Sequence, residues 1–390
     1  MVQSEIRKHI EALRDENALA HRDAIWALGK IGKAAVPSLI EALKDEHLRK
    51  AAIGALGGIG PDAKAAAPAL SEMLRDDNES VRETTAKALG KIGRNSKVAV
   101  PALIVTLKDS NEIVREASAW ALGEIGVDAA SAVPALIETL KDENENVREA
   151  SAKALSKMGN EATVAVPAFI EALDDDSWAV RYTAAWALGE IGEKTGVPVL
   201  IKTLKDEHWA VRVGAAEALG QIGPAAKSAV AALVESLNDE WVHKAATWAL
   251  GEIGNENAVP ALVEALKNKN DAVREAAAKA LGKIGPTARA AVPGLLEALQ
   301  DTNENVSNAV AAALENIGSD ARTAVPALIA ALKDEDEEMR RAAAESLGEI
   351  GDQAAVPALI EALKDSNKQV RLAATRALGK IGDSMNNNAP

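Results

Sequence analysis

Cysteine is absent from the 390 residues. That excludes disulfides, thiolate catalysis, zinc–thiolate centres and thioether attachment of a chromophore to this chain. Aromatic residues are scarce, with one Phe, one Tyr and seven Trp. No uninterrupted apolar run approaches the ~18 residues of a membrane-spanning helix. The opening stretch, MVQSEIRKHIEALRDE, lacks the apolar segment of a secretion signal. There is no basic excess either. The net charge is −14, which argues against a nucleic-acid partner, since such a partner needs a basic footprint. These absences lead to the expectation of a soluble, cytoplasmic protein.

What the chain has in quantity is repetition. The tetrad Leu-Gly-x-Ile-Gly, or a close variant, closes at Gly32, Gly60, Gly93, Gly126, Gly159, Gly192, Gly223, Gly254, Gly285, Gly318, Gly351 and Gly382. The spacing is 28 to 33 residues, the period of a stacked repeat architecture. No other domain fits between the copies, so residues 1–382 are expected to form a single solenoid. Residues 383–390, DSMNNNAP, read as a disordered polar tail.

One copy explains the period. AVPALIETLKD, from Ala132, carries Pro134 near the start of a short helix, where its missing N–H costs nothing. Ile137 and Leu140 follow at helical spacing. In DENEN an Asn or Asp can cap the next helix. VREASAKALSKM then forms a longer helix that stops at Gly159, read as a left-handed cap. Each unit is a helical hairpin of a short A helix and a longer B helix. It is too small to bury its apolar face alone, so stacked neighbours must supply the core. Length variation falls in loops: the B-to-A connection is shorter before Pro198, Pro260 and Pro357, and the A-to-B turn is shorter before Arg49 and His243.

VREASAWALGEIG, from Val114, and AVPALIEALKD, from Ala355, resemble the HEAT-repeat family, in particular the short HEAT-like repeats of phycobilin lyases. The resemblance spans essentially Ser4 to Gly382. It implies an all-α, right-handed superhelical solenoid of twelve hairpins, with the B helices lining the concave surface. The chain is also similar to designed repeat proteins built on the same consensus.

A helical wheel assigns the faces of the fourth B helix. Val114, Ala117, Ser118, Ala121, Leu122 and Ile125 share one side, the expected core. Ile113, Glu116, Trp120 and Glu124 point away from it. At the equivalents of these four positions the sequence is anything but monotonous. Five of the seven Trp residues, Trp26, Trp120, Trp186, Trp241 and Trp248, and the only Tyr, Tyr182, lie there. Trp178 and Trp209 sit beside this stripe, at the first turns of their helices. Trp178, Trp186, Trp209, Trp241, Trp248 and Tyr182 crowd into repeats six to eight. Trp and Tyr are favoured at binding hot spots because they give large contact area at small entropic cost.

Charge narrows the partner. Across repeats four to eight the stripe carries six Glu and three Lys, so it favours a protein presenting apolar and basic groups. The expected contact set is Trp120, Trp178, Tyr182, Trp186, Glu190, Trp209, Glu217, Trp241, Lys244, Trp248 and Glu252. A blander reading stands beside it. Lys87 and Lys153 could cover Trp120 by cation–π contact, and Lys91, Glu124, Lys157 and Glu190 could form a solvated charge ladder.

No motif reads as catalytic. An Asp stands six residues before an Arg in most repeats, as in Asp109–Arg115 and Asp142–Arg148. An active site is needed once, so repetition points to structure, and the resemblance implies an inter-repeat ladder. His21, His243 and Ser307 replace the Arg, so the ladder should weaken in repeats one, eight and ten. The five His residues include no HExxH spacing. Deoxyhypusine hydroxylase, built from similar repeats, holds iron through His-Glu dyads. This chain has only the reversed Glu46-His47 and Glu207-His208. The expectation is a non-catalytic protein-binding scaffold without cofactor or metal. Its rivals are a chromophore-handling protein with a tetrapyrrole in the groove, and a designed chain without a natural partner.

Overall fold

The computed structural model describes residues 2–14, 18–299, 301–317, 325–333 and 337–387. Among these, twelve helical hairpins follow one another and no strand occurs. Contacts divide them into two units, Met1–Gly196 and Val197–Pro390, of six hairpins each. Within each unit the chain is an α-α solenoid: every B helix packs against the B helices of the adjacent repeats.

The fourth repeat shows why the hairpin forms. Its A helix, Val100–Thr106, has Pro101 in its first turn and buries Val100, Leu103 and Thr106. Its B helix, Glu112–Ile125, starts where the Asn111 side chain accepts the Ile113 N–H, one of the donors a helix start leaves unpaired. The same cap recurs at Asn78, Asn144, Asn270, Asn303 and Asn367. All six expected core residues, Val114 to Ile125, are buried. Ser118 tolerates burial because its hydroxyl bonds Val114 O at 2.7 Å and pairs with Thr106 across the hairpin at 2.6 Å. In the fifth A helix Leu136 is fully buried and Ile137 only partly so, so the core position lies one residue before the one expected.

Two expectations about the connections need correction. The longer B-to-A links are 3-10 helices rather than plain loops, as at Gly126–Ala132, where Ala129 and Ala132 are buried. The closing glycines also divide into two kinds. Gly192 and Gly254, before short links, are left-handed, with φ/ψ of 72°/15° and 63°/29°. Gly60, Gly93, Gly126, Gly223 and Gly285, before the longer links, have φ near 70° but ψ between −136° and −141°. That second region is open to glycine and closed to residues with a Cβ.

The final repeat departs further. Its B helix, Lys368–Asn387, passes through Gly382 without a stop and enters the stretch expected to be a tail. Gly318 and residues 388–390 lie outside the described residues, as does the side chain of His21.

Small residues set how closely repeats stack. A Cβ on Gly123 would stand 2.9 Å from the Cα of Ala154, and one on Gly251 would stand 2.9 Å from the Cα of Ala280. Neighbouring B helices therefore meet backbone to backbone at the Leu-Gly step.

The recurring Asp and Arg complete the stack. Arg115 forks onto the carboxylate of Asp142, one repeat on, at 2.8 Å from both Nε and Nη2. Its Nη1 bonds the backbone oxygen of Asp109. Arg82–Asp109, Arg148–Asp175, Arg274–Asp301 and Arg340–Asp365 repeat the fork. This is the inter-repeat ladder, with planar two-point recognition that arginine suits. Burial pushes the Asp109 and Asp142 carboxyls up, but their arginine and backbone N–H bonds more than reverse this and hold both below the usual range. The rung weakens where expected in repeat eight: His243 bonds Asp239 O and the Asn270 side chain and forms no ion pair there. In repeat ten Ser307 turns back to Asp301 O.

By composition alone, Glu112–Thr139 is long and apolar enough to cross a membrane. It is not one rod. Gly126, at φ 70°, breaks it into a B helix, a 3-10 link and an A helix, and its apolar residues fill the hairpin core.

Candidate functional site

The B-helix stripe leaves the core by necessity. Residues a turn apart share a face, so once Ala216, Leu219 and their kin are buried, Val213, Glu217 and Gln221 must project elsewhere. In the second unit they project into a groove of about 900 Å³. Its floor and walls come from three successive B helices, Trp209–Ile222, His243–Ile253 and Asp271–Ile284.

Each helix contributes differently. The first supplies Val213, Glu217 and Gln221; Trp241, Lys244, Trp248 and Glu252 come from the second and the turn before it. From the third come Ala272, Ala276 and Ala280, with Glu275, Lys279 and Lys283. The alanines leave the space. Five expected contact residues, Glu217, Trp241, Lys244, Trp248 and Glu252, are thus brought together. The sequence pattern centres the aromatic cluster on repeats six to eight, and this groove occupies seven to nine. The ninth repeat has no aromatic residue to mark it in the sequence.

Its two tryptophans are held by different means. The Trp248 ring lies on Gly220 of the preceding B helix, where a Cβ would stand 2.8 Å from its Cε3. Trp241 packs against Trp209, ring centroids 5.3 Å apart and tilted by 36°, and Trp209 stacks on His208 at 5.9 Å. His208 is fixed in turn by accepting the Ala210 N–H. Trp241 and Trp248 remain 60% and 42% exposed, so both offer apolar surface to a guest.

The charges in the groove are unequal. Glu252 is paired with Lys283 of the next repeat, and Glu275 with Lys279 at 2.5 Å. Among the described residues Glu217 and Lys244 have no such partner. Glu217 is half-buried, and burial pushes its carboxyl above the ordinary range.

In the first unit Trp120 lines a separate, smaller groove of about 290 Å³ with Glu116, Glu149, Lys153 and Lys157. Its ring lies on Gly90 as Trp248 lies on Gly220. The covering lysines expected over it are engaged elsewhere: Lys87 bonds Glu83 at 2.7 Å and Lys153 bonds Glu149 at 2.5 Å. Lys157 bonds Glu124 of the neighbouring repeat, one rung of the expected charge ladder. A cation–π contact is found instead at Lys30 and Trp26, 5.3 Å apart. Trp178, Tyr182, Trp186 and Glu190 lie on the B helix Trp178–Ile191. Trp178 is 47% exposed, Tyr182 and Trp186 are half-buried, and Glu190 is exposed.

Among the described residues, no group of three or more His, Asp or Glu is placed to hold a metal ion. His208 serves as a helix cap, and His243 stands in the ladder.

The family model for HEAT repeats matches residues 6–80, 67–131, 100–166, 166–244, 231–315 and 325–386. The PBS lyase HEAT-like repeat matches residues 308–334. No curated protein matches the sequence. Among solved structures, an engineered protein is 22% identical, with 97% of this chain and 98% of that one covered and a TM-score of 0.50. A chain from the complex of Kap95p with RanGDP is 16% identical, with 97% and 62% covered and a TM-score of 0.60. Importin beta is 15% identical, with 97% and 65% covered and a TM-score of 0.50. At these identities the likeness is one of fold. The chain spans less than two thirds of the length of the last two.

Proposed function

We propose that this chain, which belongs to the HEAT-repeat family, is a non-catalytic scaffold that binds a protein partner on its B-helix face. The observation that carries the reading is the groove of the second unit. It joins two exposed tryptophans, held from behind by Gly220 and Trp209, to small alanines and a charged rim. Interface hot spots have this make-up, with aromatic anchors surrounded by polar residues. A groove whose anchors are already packed binds without ordering them first, which lowers the cost of association. Trp120, Trp178, Tyr182, Trp186 and Glu190 are further contacts of the same kind on the first unit. Kap95p, similar in fold, binds RanGDP, a precedent for a protein partner and not for that particular one.

Alanine at Trp241 or Trp248 tests the reading. Loss of an anchor of this kind costs about 2 kcal/mol or more, roughly thirty-fold in affinity. A partner recovered by the parent chain should be lost by both variants while their thermal unfolding stays unchanged. Equal recovery by parent and variants would reject the groove as the binding surface.

A bilin in the same groove is the second reading. It is favoured by the match to the PBS lyase HEAT-like repeat and by the aromatic walls. Titration with phycocyanobilin, followed by visible absorbance and Trp quenching, decides it: no change in either removes the bilin.

A further inference from the structure

Whatever enters the groove meets charges that the fold has already sorted. Two of its acids are neutralised within the protein, Glu252 by Lys283 and Glu275 by Lys279. Those pairs are satisfied and offer a newcomer little. Glu217 is the carboxylate left over. It is half-buried on the B helix Trp209–Ile222, and among the described residues no side chain forms an ion pair or hydrogen bond with it.

The position of Glu217 makes this more than an isolated charge. Gly220, three residues on, lies on the same helical face and carries the Trp248 ring. The backbone of Glu217 is therefore about one helical turn, ~5 Å, along the wall from the glycine on which the indole rests. Trp241 belongs to the same lining, buttressed by Trp209. A long aliphatic stem lying on the indoles would deliver its cationic end to Glu217, and the ring faces would add attraction for that cation.

We propose that Glu217, Trp241 and Trp248 form a receptor for one basic side chain, lysine or arginine, of an extended peptide segment. The proposal rests on the scaffold reading and names what the groove selects. Three B helices about 10 Å apart make it about 20 Å long, the span of roughly six extended residues. That length suits a peptide with apolar neighbours on either side of the basic residue, which would lie over Ala272, Ala276 and Ala280. A carboxylate already held out of water, with its pKa raised, gains more from a charge-assisted hydrogen bond than a solvated one does. Lys244 lies in the same groove, and among the described residues its side chain has no ion-pair or hydrogen-bond partner. For a cationic guest it is a repulsive neighbour, and this gives the proposal a sign that misfolding cannot imitate.

The experiment is selection of random twelve-residue peptides on the full chain, followed by affinity measurement of the selected peptides against variants of known unfolding temperature. The selected peptides should share a Lys or Arg flanked by apolar residues. Glu217→Gln should weaken them roughly tenfold or more, in keeping with a charge-assisted bond. Lys244→Gln should tighten them by about two- to threefold. Replacing the peptide's basic residue by norleucine should abolish the difference between parent and Glu217→Gln.

Selected peptides that need Trp248 yet lack a basic residue, or that bind Glu217→Gln as tightly as the parent, overturn the basic-side-chain receptor and leave the scaffold reading standing. Weaker binding by Lys244→Gln overturns it too, since it assigns the recognised charge to a guest anion. If no selected peptide depends on Trp241 or Trp248, the scaffold reading fails at this groove and the receptor with it.

Discussion

The indole of Trp248 rests on the backbone of Gly220, one repeat earlier, and Trp120 rests on Gly90 in the same way. A glycine in one repeat is thus the seat for an aromatic ring in the next. Alanine at Gly220 would place a Cβ within 2.8 Å of the ring's Cε3 and 3.0 Å of the Ala249 Cα, so ring and helix must both shift. Gly220→Ala is expected to destabilise by about 1–3 kcal/mol and to alter Trp emission. Gly54, a B-helix glycine with nothing within 4 Å of its would-be Cβ, is the control. Gly54→Ala should stabilise by about 0.5–1 kcal/mol, since only the helix preference of alanine remains. Denaturant unfolding of the two variants measures both signs.

The Arg–Asp ladder predicts a cost and a pH dependence. Arg115 and Asp142 side chains are 10% and 9% exposed, so removing one strands the other. Arg115→Ala should cost about 3 kcal/mol, with the loss concentrated in the neighbouring repeats, because a solenoid transmits stability from neighbour to neighbour. Asp109, Asp142, Asp239, Asp301 and Asp365 all have lowered pKa values. For Asp301 and Asp365 the arginine hydrogen bond is the leading cause. The unfolded chain therefore takes up protons at these groups more readily than the folded one. Their contribution is complete above the ordinary Asp range of about pH 4 and disappears as the pH falls through the lowered folded values. Unfolding midpoints measured from pH 6 to pH 2 should fall steeply at the acidic end, and less steeply in Arg115→Ala.

The two classes of closing glycine predict different tolerance. Gly192, left-handed at φ 72° and ψ 15°, occupies a region asparagine visits. Gly126, at φ 70° and ψ −138°, does not. Gly126→Asn should cost about 1–3 kcal/mol, and Gly192→Asn markedly less. Melting temperatures of the two variants, side by side, read the difference.

Much of this was legible in the sequence because helical registers are rigid. Once Val114, Leu122 and Ile125 were placed in the core, Trp120 could only lie on the other face, and it does. Asn and Asp before the B helices read directly as caps. The 3-10 links were missed because a stretch such as VDAASA has no apolar period to announce a helix. The seat of Trp248 on Gly220 was missed because it depends on the stacking register between neighbouring repeats, which the period of a single helix does not reveal. The position of the groove was missed for a related reason. Its depth comes from Ala272, Ala276 and Ala280 in the ninth repeat, where the sequence drew attention to large residues and the space is made by small ones.

Side-chain oxidation footprinting of the full chain, with and without a saturating selected peptide, reads directly whether a guest covers the groove. All seven tryptophans serve as probes in one experiment, and Trp26, 65% exposed and outside the groove, is the internal control. Strong protection of Trp241 and Trp248, with Trp26 unchanged, is the expected result. Unaltered oxidation of Trp241 and Trp248 under saturation, or protection confined to residues of the A helices, would contradict it.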